Sequence, residues 1–203
     1  MERIRLNILI SVFLCISSVV SAQNIVRINT DQSKVKWTGK KPGGEHHGFV
    51  KLKDGQLVIV GNEVKGGSFT IDMNSITDID LKNEEFNNKL VNHLKSSDFF
   101  DVSKHPEAKF VITDVSKINN GAKVERKATH SITGDLTIKG ITKKISFDAS
   151  INSLNGKVTS STPVFSLNRT EWGVNHQSKS VFANLKDNFI HDDILLSVEL
   201  ISD

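Results

Sequence analysis

From Ile25 onward, apolar and polar residues of the 203-residue chain alternate with a period of two, broken at intervals by turn residues. That is the pattern of antiparallel strands with one buried face. Val35 and Trp37 share a face opposite Lys34, Lys36 and Thr38; Phe69, Ile71 and Met73 oppose Thr70 and Asp72. Ile132, Gly134, Leu136 and Ile138 alternate with Ser131, Thr133, Asp135 and Thr137. Beyond Lys139-Gly140, Ile141, Ile145, Phe147, Ala149 and Ile151 alternate with polar partners, so these two runs predict a hairpin. Asp54-Gly55, between Phe49 to Leu52 and Leu57 to Val60, predicts another hairpin. Lys40 to Gly44, Gly61-Asn62, Asn119-Asn120-Gly121 and Asn155-Gly156 predict further breaks, with strands at Phe110 to Val115, Val158 to Leu167 and Ile194 to Ile201.

One stretch follows a different period. Phe86, Leu90, Val91 and Leu94 fall on one stripe of a helix, with Asp80 or Asn83 as N-cap, Glu84 and Glu85 in the first turn and Lys95 in the last. Ser96 and Ser97 end the pattern. Phe99 and Phe100 follow between Asp98 and Asp101, as in a buried loop, and a strand with Phe110 and Ile112 on one face begins after Pro106. Eight or nine antiparallel strands and a single helix predict an all-β fold in which the sheet closes into a barrel and the helix caps it.

Composition narrows the class. With 37% hydrophobic and 24% charged residues the chain reads as one globular domain over 23–203. Arg3 and Arg5 precede an apolar run from Leu6 to Val20, and Val20-Ser21-Ala22 supplies small residues before Gln23. This layout predicts a signal peptide over 1–22 and a periplasmic or secreted protein. The sole cysteine, Cys15, leaves with that segment, which excludes disulfides and thiolate chemistry from the remainder. A net charge of +3 with dispersed lysines lacks the basic stripe of a nucleic-acid binder.

Candidate chemistry is sparse. The seven histidines include no His-x-His or His-Glu-x-x-His spacing, so neither a metal nor another cofactor is expected. Ser, His and Asp residues are present, but no Gly-x-Ser-x-Gly elbow assembles them, and no catalytic residue is expected. His93 and His105 flank the Phe99-Phe100 pair as candidate polar groups at a pocket mouth. Arg169, beside Trp172, has the chemistry to stack on an indole or bind an anionic head group.

Asn92-His93-Leu94-Lys95-Ser96-Ser97-Asp98-Phe99-Phe100-Asp101, followed by Lys104-His105-Pro106-Glu107-Ala108-Lys109-Phe110, resembles the YceI family. Ile132-Thr133-Gly134-Asp135-Leu136-Thr137-Ile138-Lys139-Gly140-Ile141-Thr142-Lys143 resembles that family's second motif, and the likeness extends over the whole mature chain. Lys40 to Gly48 and Arg169 to Ser180 look like a separate branch of it. The resemblance implies a lipocalin-like antiparallel barrel, exported to the periplasm, whose apolar cavity binds long amphiphiles such as polyisoprenoids.

Together these readings predict a non-enzymatic protein that transports or stores an isoprenoid or fatty-acyl amphiphile, with transient membrane contact and a homodimer as further expectations. The expected lining is Trp37, Phe69, Ile71, Met73, Phe99, Phe100, Phe110, Ile112, Leu136 and Phe147, with His93 or Arg169 near the polar end. Two alternatives stand beside it. A structural or stress-response envelope protein would have a filled barrel, with a cavity below roughly 300 Å³. An enzyme acting on a lipid-like substrate would bring His93, Asp98 and Arg169 within hydrogen-bonding reach.

Overall fold

Alternation becomes strand wherever one face finds an apolar partner. The computed structural model describes residues 23–118 and 128–203. Strands β1 (Gln23–Arg27), β2 (Lys34–Lys41), β3 (Gly44–Val60) and β4 (Glu63–Asp78) precede helix α1 (Glu84–Lys95). After it come β5 (Glu107–Lys117), β6 (His130–Ile138), β7 (Ile141–Leu154), β8 (Lys157–Ser161), β9 (Phe165–Asn168), a 3-10 turn (Arg169–Trp172) and β10 (Asp193–Ile201). The order β3-β2-β10-β8-β7-β6-β5-β4 returns to β3 through β3–β4 pairing, so eight antiparallel strands close a lipocalin-like barrel. The short strands β1 and β9 extend its wall along β3 and β10. The predicted turn at Asn119-Asn120-Gly121 and the segment 1–22 lie outside the described residues.

Closure depends on curvature. Register shifts between β3 and β4 at Phe49/Lys51, Leu52/Asp54 and Val58/Ile59 add local twist, which bends two long strands around the barrel. The expected Asp54-Gly55 hairpin is corrected here: β3 runs unbroken through both residues. Gly55 serves as a gap instead of a turn, because a Cβ there would lie 2.8 Å from the Phe69 ring and 3.2 Å from Ile28. Val158 to Leu167 also differs from expectation, splitting into β8 and β9 at Thr162–Val164. β7 pairs with β8 only over Ser150–Leu154, and ahead of that stretch Phe147 stacks on Phe165 of β9, with ring centroids 4.6 Å apart.

The helix starts at Asn83, not Asp80: Asn83 Oδ1 accepts from the Phe86 amide at 3.1 Å. It ends as Ser96 Oγ donates to His93 O and the chain reverses, with Phe100 N–H returning to Leu94 O and Val102 N–H to Lys95 O. Its stripe is only partly used. Leu90 and Leu94 turn toward the barrel, whereas Phe86 is 58% exposed and no helix residue is fully buried. Asn87 supplies the polar anchor, its side-chain amide donating to Asp78 O, Asp78 Oδ1 and Leu81 O. Among the described residues no helix is long and apolar enough to cross a membrane.

Candidate functional site

The inward faces of the strands enclose two chambers. The wider, about 210 Å³, lies at the helix end and is lined by residues that include Trp37, Met73, Leu90, Leu94, Phe99 and Phe100. The narrower, about 130 Å³, has a wall of strand residues and one inter-strand position, Thr162, with Phe69, Phe110, Ile112, Phe147 and Phe165 on it. Val35, Ile71, Leu136, Leu167 and Leu196 line both, forming a belt where the chambers meet. Neither chamber alone reaches 300 Å³; together they come to about 340 Å³, at the low end of the ~300–1,000 Å³ range of small-molecule sites.

Aromatic rings shape the narrow chamber. Phe110 lies between Phe69 and Phe147 at centroid distances of 6.4 and 5.6 Å, and Phe147 continues to Phe165. Gly134 makes room for them: a Cβ there would stand 2.4 Å from Phe110 Cζ. The buried Phe69 and Phe110 rings each contribute roughly 1.5–3 kcal/mol by burial, the half-buried Phe147 and Phe165 less, and each offset pair about 0.5–1.5 kcal/mol more.

Ten of the expected lining residues therefore stand on chamber walls: Trp37, Met73, Phe99 and Phe100 in the wide one, Phe69, Phe110, Ile112 and Phe147 in the narrow one, Ile71 and Leu136 at the belt. The two expected polar residues stand differently. Arg169 borders the wide chamber, yet its guanidinium donates to Val174 O at 2.6 Å, Ile190 O at 3.0 Å and His191 O at 3.1 Å. Burial lowers its pKa, with Asp192 acting in the opposite sense. A guanidinium committed to three carbonyls fastens the loop after β9 to the segment before β10, so much of its hydrogen-bonding capacity is spent on the protein's own backbone. His93 lies outside both linings. Its Nε2 stands 3.2 Å from Asp98 Oδ2, its ring packs edge-on against Phe99 at 4.9 Å and against His176 at 4.7 Å. Burial, followed by His93, lowers the pKa of His176. His93 and Asp98 thus meet, but His176 takes the place expected of Arg169.

Two kinds of lining residue escaped the sequence. Trp172, named in the sequence only as the neighbour of Arg169, is 2% exposed and donates its indole N–H to Leu136 O at 3.0 Å, inside the wall. The rim residues His46 and His191 have no motif to announce them. His46 Nδ1 lies 2.9 Å from Asp80 Oδ2, and the Asp80 carboxylate also accepts the His47 amide at 2.7 Å. Burial tends to raise the Asp80 pKa; the His47 amide, Asp78 and His46 outweigh it and bring the carboxyl to about 2. Burial and the facing Asp80 push Asp78 up, against the pull of the Leu81 amide. The interior presents mostly hydrocarbon and aromatic surface; its charged and imidazole groups border the helix end, and Ser160 and Thr162 are the polar residues on the narrow chamber.

Known proteins share this architecture. The model of the YceI-like domain matches residues 27–201. A UPF0312 protein of Pseudomonas putida strain W619 is 48% identical over 60 residues, which cover 30% of this chain and 28% of that protein. The matched part thus spans little more than a quarter of that relative. Burkholderia cenocepacia BcnA superposes with a TM-score of 0.64 at 21% identity, covering 87% of this chain and 99% of its own. A polyisoprenoid-binding domain from Saccharophagus degradans, implicated in plant cell wall breakdown, superposes with a TM-score of 0.59 at 9% identity, covering 87% and 97%.

Proposed function

Because this chain belongs to the YceI-like domain family, we propose that it is a binding protein that holds a long amphiphile of isoprenoid or fatty-acyl type in its barrel. The observation that carries this reading is the pair of apolar chambers meeting at a shared belt, with charged and imidazole groups at the helix end and only Ser160 and Thr162 as polar residues on the narrow chamber. A hydrocarbon tail entering past α1 removes apolar surface from water along its length, at roughly 25 cal/mol per Å². Its head then lies near the rim, within reach of His46, Lys40 and Lys41 instead of Arg169. The polyisoprenoid-binding domain of Saccharophagus degradans supports the same ligand class through a shared fold.

On this reading the protein carries or stores its ligand without transforming it. The leader-like layout of residues 1–22 supports an exported, periplasmic or secreted location. A filled-barrel envelope protein is the second reading, favoured by the size of each chamber taken alone. The belt separates the two. A long tail must pass Leu136, whereas a short one fits within the wide chamber.

Titration with fluorescent acyl probes of increasing length tests this, comparing the wild-type protein with Leu136→Trp. The expected result is saturable uptake in the wild type, and in the variant a loss of about 10-fold or more for long probes with little change for short ones. No uptake of any probe by the wild type would favour the filled barrel.

A further inference from the structure

Where the β2–β3 hairpin meets the end of β4, the backbone comes unusually close. Gly48 permits it, since a Cβ there would lie 1.8 Å from Thr77 O. Gly48 is the β3 partner of Asp78, and the Ile79 amide donates to His47 O, so the chain after β4 folds back over His46 and His47. Asp78 is 7% exposed. Its Oδ1 accepts from the Leu81 amide at 2.9 Å and from Asn87 Nδ2 at 3.1 Å, but its buried Oδ2 has no hydrogen-bond partner. A buried carboxylate oxygen lacking a donor, with a second carboxylate beside it, is costly unless something positive stands between them.

His46, Asp78 and Asp80 each present one ligating atom, and all three atoms lie within 4.8 Å of one another. Two bonds of ~2.0–2.2 Å to one ion reach across at most about 4.4 Å, so three atoms this close share an ion with little side-chain movement. His46 Nδ1 and Asp80 Oδ2, 2.9 Å apart in hydrogen-bond contact, would open to roughly 3.3 Å as adjacent tetrahedral ligands. We propose that His46, Asp78 and Asp80 form a binding site for a divalent first-row cation of the zinc type. One imidazole with two carboxylates favours this class over Mg²⁺ or Ca²⁺, whose sites are built from oxygen ligands. The ion joins the hairpin to the end of β4. Through Asn87, which donates to Asp78 and to Leu81 O, it also steadies helix α1. Because His46 lines the wide chamber, the site lies at the chamber's mouth.

The test is equilibrium dialysis of untagged, chelator-stripped protein against Zn²⁺, with thermal unfolding followed in parallel. Asp78→Asn is the informative variant, since the amide oxygen keeps the Leu81 and Asn87 bonds while its nitrogen gives Asp80 a donor, so the metal-free fold is retained. The wild type is expected to take up Zn²⁺ and gain thermal stability with it. In Asp78→Asn and in His46→Gln, affinity at this site falls by about 100-fold or more, at or beyond the ~10–100-fold typical of losing an outer-shell partner. Uptake equal to wild type in both variants would put the ion elsewhere, for example at His93, Asp98 and His176, and overturn the proposal. So would a wild-type protein that binds no Zn²⁺ at millimolar concentration, which would leave a shared proton between the two carboxyls.

Discussion

The two ends of the barrel are made of different material. Around the narrow chamber the wall is paired strand, its rings run from Phe69 through Phe110 and Phe147 to Phe165, and glycine stands where a Cβ would strike a ring. Around the wide chamber the cover is a helix with no fully buried residue, a reversed loop at Phe99-Phe100 and an arginine-tied loop after β9. Interlocked strands resist local opening, whereas a helix with no fully buried residue, held by Leu90, Leu94, Asn87 and the His93 ring, opens at lower free energy. The same interior surface therefore serves stability at one end and access at the other.

The largest expected difference between the ends comes from truncating a ring. Phe110→Ala leaves a cavity between two aromatic neighbours and is expected to destabilise the protein by about 3–5 kcal/mol, measured by urea unfolding. Leu90→Ala with Leu94→Ala removes half-buried side chains from the lid, and their combined loss is expected at about 1–2 kcal/mol. This pair should instead speed ligand release several-fold in stopped-flow displacement. Equal stability losses from the two changes would erase the distinction.

A smaller effect follows pH. His176 has a folded-state pKa lowered by burial and by His93, so below about pH 6.5 the unfolded chain binds more protons than the folded one. Stability at the lid is complete above that pH and declines as pH falls toward the lowered value. Protection factors of the amides of residues 96–102, referred to intrinsic exchange at each pH, should fall on acidification, and His176→Gln should abolish that part of the change. Unaltered pH dependence in the variant would assign it to another group.

Strand periodicity and the helix stripe were legible in the sequence because both depend on local spacing. The barrel's gaps were not. Asp54-Gly55 has the letters of a hairpin, yet Gly55 is small because Phe69 lies above it, and only the folded chain tells the two uses apart. Arg169's use as a loop tie was hidden for a similar reason: a cation's role depends on its acceptors, and these carbonyls come from Val174, Ile190 and His191. Phe86 completes the helical stripe on paper, but the barrel rim engages only its later turns. The cluster of His46, Asp78 and Asp80 spans more than thirty positions and forms only because Gly48 lets β3 and β4 approach. No spacing rule covers a ligand set assembled that way.

Native mass spectrometry of the protein purified from its own cells, followed by solvent extraction of the retained mass, tests the central claim most directly. A single bound species that extracts as an isoprenoid or long-chain acyl amphiphile, and that is depleted in Leu136→Trp, is the predicted result. A spectrum containing only bare protein, from material that also refuses every acyl and prenyl probe, would contradict it.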